Sequence, residues 1–130
     1  MRTYIIRQND VSWIPSTQNL SSHMKKIIND KIKNHIGVSP YKQKCLHYEA
    51  EGLWSYNKLE TDSRIIYAIC EDCRKRELTI MNACQDCEEM TDNTIILWVF
   101  GGHEVYKNLK RTRKKAWKKL VKQRRRKRRN

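Results

Sequence analysis

The sequence predicts a small zinc-stabilised α+β domain: one amphipathic helix plus antiparallel strands with zinc-ribbon-like knuckles, followed by a basic helical or disordered C-terminal tail. Three observations predict it. One stretch repeats its apolar residues at helical spacing, and several short runs are β-branched and bounded by turn residues. Two CxxC pairs stand close together, ahead of an abrupt change in charge.

Thr3-Tyr4-Ile5-Ile6-Arg7 is a short β-prone run, and a turn-rich stretch through Pro15 and Ser16 follows it. Ser21 or Ser22 caps the helix. Met24, Ile27, Ile28, Ile32 and Ile36 form its apolar stripe, and Gly37 with Pro40 closes it. Lys25, Lys26, Lys31 and Lys33 decorate the other faces, so the helix reads as a core-packing element. From Lys42 to Tyr56 two strands are expected around a turn at Ala50-Glu51-Gly52. Arg64 to Ile69 is a strand by β-branched and aromatic content and runs straight into Cys70. Thr94 to Phe100 is the most apolar segment and reads as a central strand buried on both faces, ended by Gly101-Gly102. No internal repeat is visible.

Charge divides the chain. Of the 28 Lys and Arg residues, 15 lie between Lys107 and Asn130, and no Asp or Glu follows Glu104. Residues 1–106 therefore sum to −1 and residues 107–130 to +15. The organisation expected is a body over 1–106, with its zinc module at about 64–100, and a tail over 107–130. A body this small buries a modest share of its surface, so a structural metal would be a useful supplement. No apolar run approaches the roughly 18–20 residues that span a bilayer, and the N-terminus lacks a secretory apolar stretch. The five cysteines are then expected in a reducing compartment, and their odd number argues against a disulfide framework.

Cys70-Glu71-Asp72-Cys73 and Cys84-Gln85-Asp86-Cys87 leave ten residues between the pairs. Two intervening residues let one tight turn aim both sulfurs at one point, and two such turns complete the tetrahedron that Zn2+ prefers. A four-thiolate site leaves no position for water, so the zinc is expected to be structural, not catalytic. Redox or unliganded buried thiols are the plainer alternative. Glu71, Asp72, Glu77, Asp86, Glu88, Glu89 and Asp92 outnumber Arg74, Lys75 and Arg76 around the quartet, which suits a scaffold better than a phosphate-gripping surface. A second metal site is open to Cys45, His47 and His103, with His23 or His35 as further donors. Cys45 and His47 are two apart on an expected strand and would share a face. They are also the minimum for thiol catalysis, and otherwise a buried small hydrophobe beside an ordinary histidine. No Ser-centred elbow, phosphate-cradling glycine loop or paired-carboxylate motif is present, and an enzyme is not expected.

In the tail, Leu109, Ala116, Trp117, Leu120 and Val121 fall near one helical face. Lys110, Arg111, Arg113, Lys114, Lys115, Lys118, Lys119, Lys122, Arg124, Arg125, Arg126, Lys127, Arg128 and Arg129 make the remainder nearly pure charge. Like charges at i,i+4 oppose the helix in water, and polyphosphate would relieve them, so folding on a nucleic acid is expected. Trp117 would stack on an unpaired base or dock the tail on the body. The same run serves as a nuclear or nucleolar import signal, or simply solubilises the chain. A basic amphipathic helix with one Trp also suits an anionic membrane surface or an acidic protein groove, though the apolar stripe is narrow.

A cysteine-rich module followed by an Arg-rich tail resembles the small accessory proteins of viruses. These are the lentiviral trans-activators and RNA-export regulators, and the cysteine-rich RNA-silencing suppressors of plant viruses. That resemblance implies Cys70, Cys73, Cys84 and Cys87 as metal ligands and Arg111 to Arg129 as an RNA-binding and import segment. The trans-activators have denser cysteines and no counterpart of the helix at 22–36. The expectation is a non-enzymatic, zinc-binding, nucleic-acid-binding regulator, RNA favoured over DNA, with a protein partner met through the body and an import receptor met through the tail. Its place would be the nucleus or nucleolus (of a host cell, if viral) with cytoplasmic access. The alternative is a protein-interaction adaptor whose tail is only an import signal.

Overall fold

The computed structural model describes residues 3–59, 61–78 and 87–129, the last without its side chain. Five strands, β1 (Ile5–Gln8), β2 (Lys44–Cys45), β3 (Leu53–Tyr56), β4 (Arg64–Ile69) and β5 (Thr94–Gly101), form one sheet in the order β1-β5-β4-β3-β2. The α+β class is as expected. The sheet, however, is mixed: β1 runs parallel to β5, and the other three pairings are antiparallel. A parallel pair needs a long connection, and nearly the whole chain lies between these two strands.

Between β1 and β2 lie α1 (Trp13–Thr17) and α2 (Ser22–Lys31), the latter running on through a π-helical turn at Ile32–Ile36. Ser21 caps α2, its side chain accepting from the Met24 amide at 3.1 Å. Buried Ile28, Ile32 and Ile36 lay the expected stripe on one sheet face, against Trp54, Tyr56, Ile65, Tyr67, Ile69, Ile95, Leu97 and Phe100. The turn-rich stretch around Pro15 is instead the short helix α1. The Asn9 side chain accepts from the amides of Val11 and Ser12, each at 3.0 Å, which starts the turn. Pro15 lies in the first turn, where its missing amide costs little. Buried Trp13 then anchors α1 in the core.

The opposite sheet face carries a second cluster of Leu46, Ala50, Leu53, Ile66 and Ala68, with Trp98 and Val99 packed against it. A register shift between Ile66 and Tyr67 opposes them to Val99 and Leu97, leaving one extra residue on β5. This bulge turns both Trp98 and Val99 to the same side. Covering that side is α4 (His103–Arg129), one continuous helix of 27 residues. Tyr106 and Leu109 lie on the second cluster, and Ala116, Trp117 and Leu120 pack with Cys73 and Leu78. The boundary expected at 106/107 falls inside this helix. The apolar face of this helix is packed on the body, which supports its helical form.

Cys70 and Cys73 do not sit on a ribbon-type knuckle. They open a short helix, α3 (Cys70–Lys75), whose first turn carries Glu71 and Asp72 and whose last carries Arg74 and Lys75, matching the helix dipole at both ends. Glu77 ends it with φ 56°, and the Leu78 amide returns to the Cys73 carbonyl at 3.0 Å. Among the described residues no helix is long and apolar enough to cross a membrane.

Candidate functional site at the base of the last helix

The strand register builds this site. Arg64, first residue of β4, is opposite Gly101, last residue of β5. Two residues later α4 begins, with Gly102 accepting at its carbonyl from the amides of Val105 and Tyr106. A Cβ on Gly101 would lie 2.3 Å from Cγ2 of Val105, so only glycine allows so sharp a passage from strand to helix. Tyr106 thereby comes to lie beside Arg64, whose guanidinium carbon is 5.6 Å from the ring centroid. Lys110, one turn further along α4, places Nζ at 5.5 Å from the same centroid. Among the described residues neither cation has a carboxylate partner, and the Tyr106 hydroxyl has no hydrogen bond. The Trp98 indole N–H, in the cluster that packs on Tyr106, is buried with no acceptor. Two half-buried cations without a carboxylate partner are thus gathered on one tyrosine ring.

Sequence reasoning named Lys110 only as one tail cation among many and passed over Arg64, Tyr106 and Trp98. The i,i+4 pairing of Tyr106 with Lys110, directly after a Gly-Gly strand end, was the available signal.

The quartet fares differently. Cys84 lies outside the described residues. Cys70 and Cys73 are buried and Cys87 is half-buried. Burial pushes the Cys70 thiol up to about 11; the Arg74 charge opposes this, and the thiols of Cys87 and Cys73 add to it. Arg74 ties the segment together, donating to the Cys87 carbonyl at 2.6 Å, to the Met90 carbonyl and to the Asp92 carboxylate. Among the described residues no three His, Cys, Asp or Glu side chains are arranged to hold a metal ion. Cys45, His47 and His103, all described, are not assembled into the expected second site. Cys45 instead accepts from Arg76 Nη2 at 3.4 Å, while His47 and His103 are exposed. Arg76 in turn donates to buried Asp72, which also accepts from the Trp54 indole at 3.0 Å, so these polar groups hold α3 on the sheet.

The tail cations separate into two sets. Arg113 is buried and donates to the Glu51 carbonyl at 3.1 Å; Arg124 pairs with the Glu51 carboxylate at 3.0 Å, and Lys127 with Glu77 at 2.7 Å. Trp117 packs inward with Cys73, Leu78 and Leu120, which makes it an anchor to the body. Arg111, Lys114, Lys115, Lys118, Lys119, Lys122, Arg125, Arg126 and Arg128 are exposed, and the Arg129 side chain lies outside the description.

A solved structure shares this fold. It is a chain of the RelBE2 toxin–antitoxin complex from Mycobacterium tuberculosis, similar with a TM-score of 0.54 and 13% identity over 78% of this chain and the whole of that one. No family model and no curated protein matches. The likeness overturns the expected zinc-binding RNA regulator, in both its accessory-protein and silencing-suppressor forms, and with it the import-signal adaptor. That regulator rested on a zinc-ribbon module and a separate tail. The sheet instead shares its fold with that chain, Cys70 and Cys73 lie on the helix α3, and the tail is packed on the body.

Proposed function

We propose that the chain is the acting member of a toxin–antitoxin pair, held by a protein partner and engaging a phosphate-bearing target through Arg64, Tyr106 and Lys110. The observation that carries this reading is the fold likeness, which takes in the whole length of the RelBE2 chain. The site supports it independently. Two half-buried cations on the Tyr106 ring, without a carboxylate partner among the described residues, suit the oxygens of a phosphate. The bulge at Trp98, next to this cluster, is the kind of local departure from regular pairing that re-aims side chains at functional sites.

Controlled expression in a bacterial host tests the proposal. The intact chain is expected to lower colony counts at least about tenfold, and the Arg64→Ala/Lys110→Ala variant to restore them while staying folded, its melt lowered by no more than about 8 °C. Normal growth with the intact chain accumulated in soluble form would overturn the reading.

A further inference from the structure

Along the outward side of α4, Lys107, Arg111, Lys114, Lys118, Lys122 and Arg125 follow one another at steps of three or four residues, and all are exposed. Such spacing sets them in a nearly straight ridge, rising about 5.4 Å per turn. Among the described residues none has a carboxylate partner. Among the described residues, the body carboxylates that reach the distal half of the helix, Glu51 and Glu77, are taken by Arg124 and Lys127. The ridge is also already built. Ala116, Trp117 and Leu120 fix the helix on Cys73 and Leu78, so a ligand meets ordered charge and need not fold it.

We propose that this ridge is the docking surface for an acidic helical segment of a protein partner, with carboxylates repeating at i,i+3 and i,i+4. This rests on the reading of the chain as one member of a protein pair. Two observations favour protein over nucleic acid. The ridge carries no aromatic platform, because Trp117 is turned inward, so unpaired bases would find nothing to stack on. Its charges also keep helical register, which rewards a ligand with the same repeat, whereas a flexible polyanion gains only from their number.

The test uses the purified full chain and three probes in about 0.15 M salt. One is a peptide of about six helical turns with glutamates at i,i+3 and i,i+4; one is a scrambled peptide of the same composition; one is a single-stranded oligonucleotide of equal charge. The patterned peptide is expected to bind at least about tenfold more tightly than the scrambled one. Lys114→Glu/Lys118→Glu/Lys122→Glu should abolish that binding with the melt unchanged, while Lys25→Glu/Lys26→Glu/Lys33→Glu on α2 and its π-helical turn, of equal charge change, should leave it intact. Equal binding of the scrambled peptide overturns the proposal, as does displacement by the oligonucleotide at equal charge or equal loss in the α2 variant. Growth does not enter this measurement. A chain harmless to its host that still selects the patterned peptide would sink the toxin reading and leave the surface standing.

Discussion

Arg64 lies 5.6 Å from the centre of the Tyr106 ring, although the two are 42 positions apart in the chain. The pairing of Arg64 with Gly101 across β4 and β5 brings them together. Tyr106 thus has two separable roles, a ring that gathers cations and a hydroxyl left uncommitted. Tyr106→Phe keeps the first and removes the second. It should leave stability within about 0.5 kcal/mol yet, on the proposed toxin reading, relieve the growth defect, whereas Tyr106→Ala should also cost about 1–3 kcal/mol through lost packing and cation–π contact. Denaturant titration beside colony counts separates the two. A phenylalanine variant that lowers colony counts as much as the parent would remove the hydroxyl from the proposed contact.

Arg113 and Lys114 are neighbours of the same charge and differ in what they touch. Arg113 is 5% exposed and donates to the Glu51 carbonyl, which pins the β2–β3 connection under α4. Lys114 is exposed and reaches no carboxylate among the described residues. Arg113→Met keeps much of the stem but leaves that carbonyl without its donor, at a cost of about 1–3 kcal/mol. Lys114→Met should change stability by less than about 0.5 kcal/mol. Equal denaturation midpoints for the two variants would show that the Glu51 contact holds nothing.

Cys70 links stability to alkaline pH. Its thiol is raised from 9.0 to about 11 by burial, so above pH 9 the unfolded chain ionises first and the folded chain holds its proton. The thiol's contribution is therefore complete below pH 9 and is lost as pH rises toward 11, by on the order of 2 kcal/mol. In metal-free protein the unfolding free energy should fall over that window, and Cys70→Ala should flatten the fall. A parallel decline in both proteins would assign it to other groups.

Much of the body was legible in its residues. The stripe from Met24 to Ile36, the strand from Arg64 to Ile69 and the apolar strand from Thr94 follow from side-chain period and branching, and packing kept them where local preference put them. What escaped the sequence was set by distant partners. Whether Ile5 and Ile6 lie beside β5 or elsewhere depends on topology, which four residues cannot encode. Trp117 reads equally well as a base-stacking platform and as an anchor, and only the socket of Cys73 and Leu78 decides between them. Cys70 and Cys73 suggested a knuckle by spacing, but an acidic first turn and a basic last turn also make a good short helix, and that preference prevailed. The site was the least visible part. Arg64 looked like a strand end, and its link to Tyr106 exists only through the β4–β5 register.

Gly101 is where this register meets the last helix, and its replacement should disturb both fold and site. Alanine there would press its Cβ to 2.3 Å from Cγ2 and 3.1 Å from Cβ of Val105, at a φ of +158° that side chains rarely adopt. The first turn of α4 has to move, and Tyr106, one residue on, moves with it. Gly101→Ala should therefore cost about 1–3 kcal/mol and, on the proposed toxin reading, weaken the growth defect beyond what the remaining folded protein explains. Val105→Ala removes the nearer clash while keeping a helix-forming residue. In the Gly101→Ala/Val105→Ala protein, part of both losses should return, a non-additive result that a double-mutant cycle reads directly. Additive losses would mean that the strain lies in the Gly101 backbone alone and that the contact with Val105 does not set the position of Tyr106.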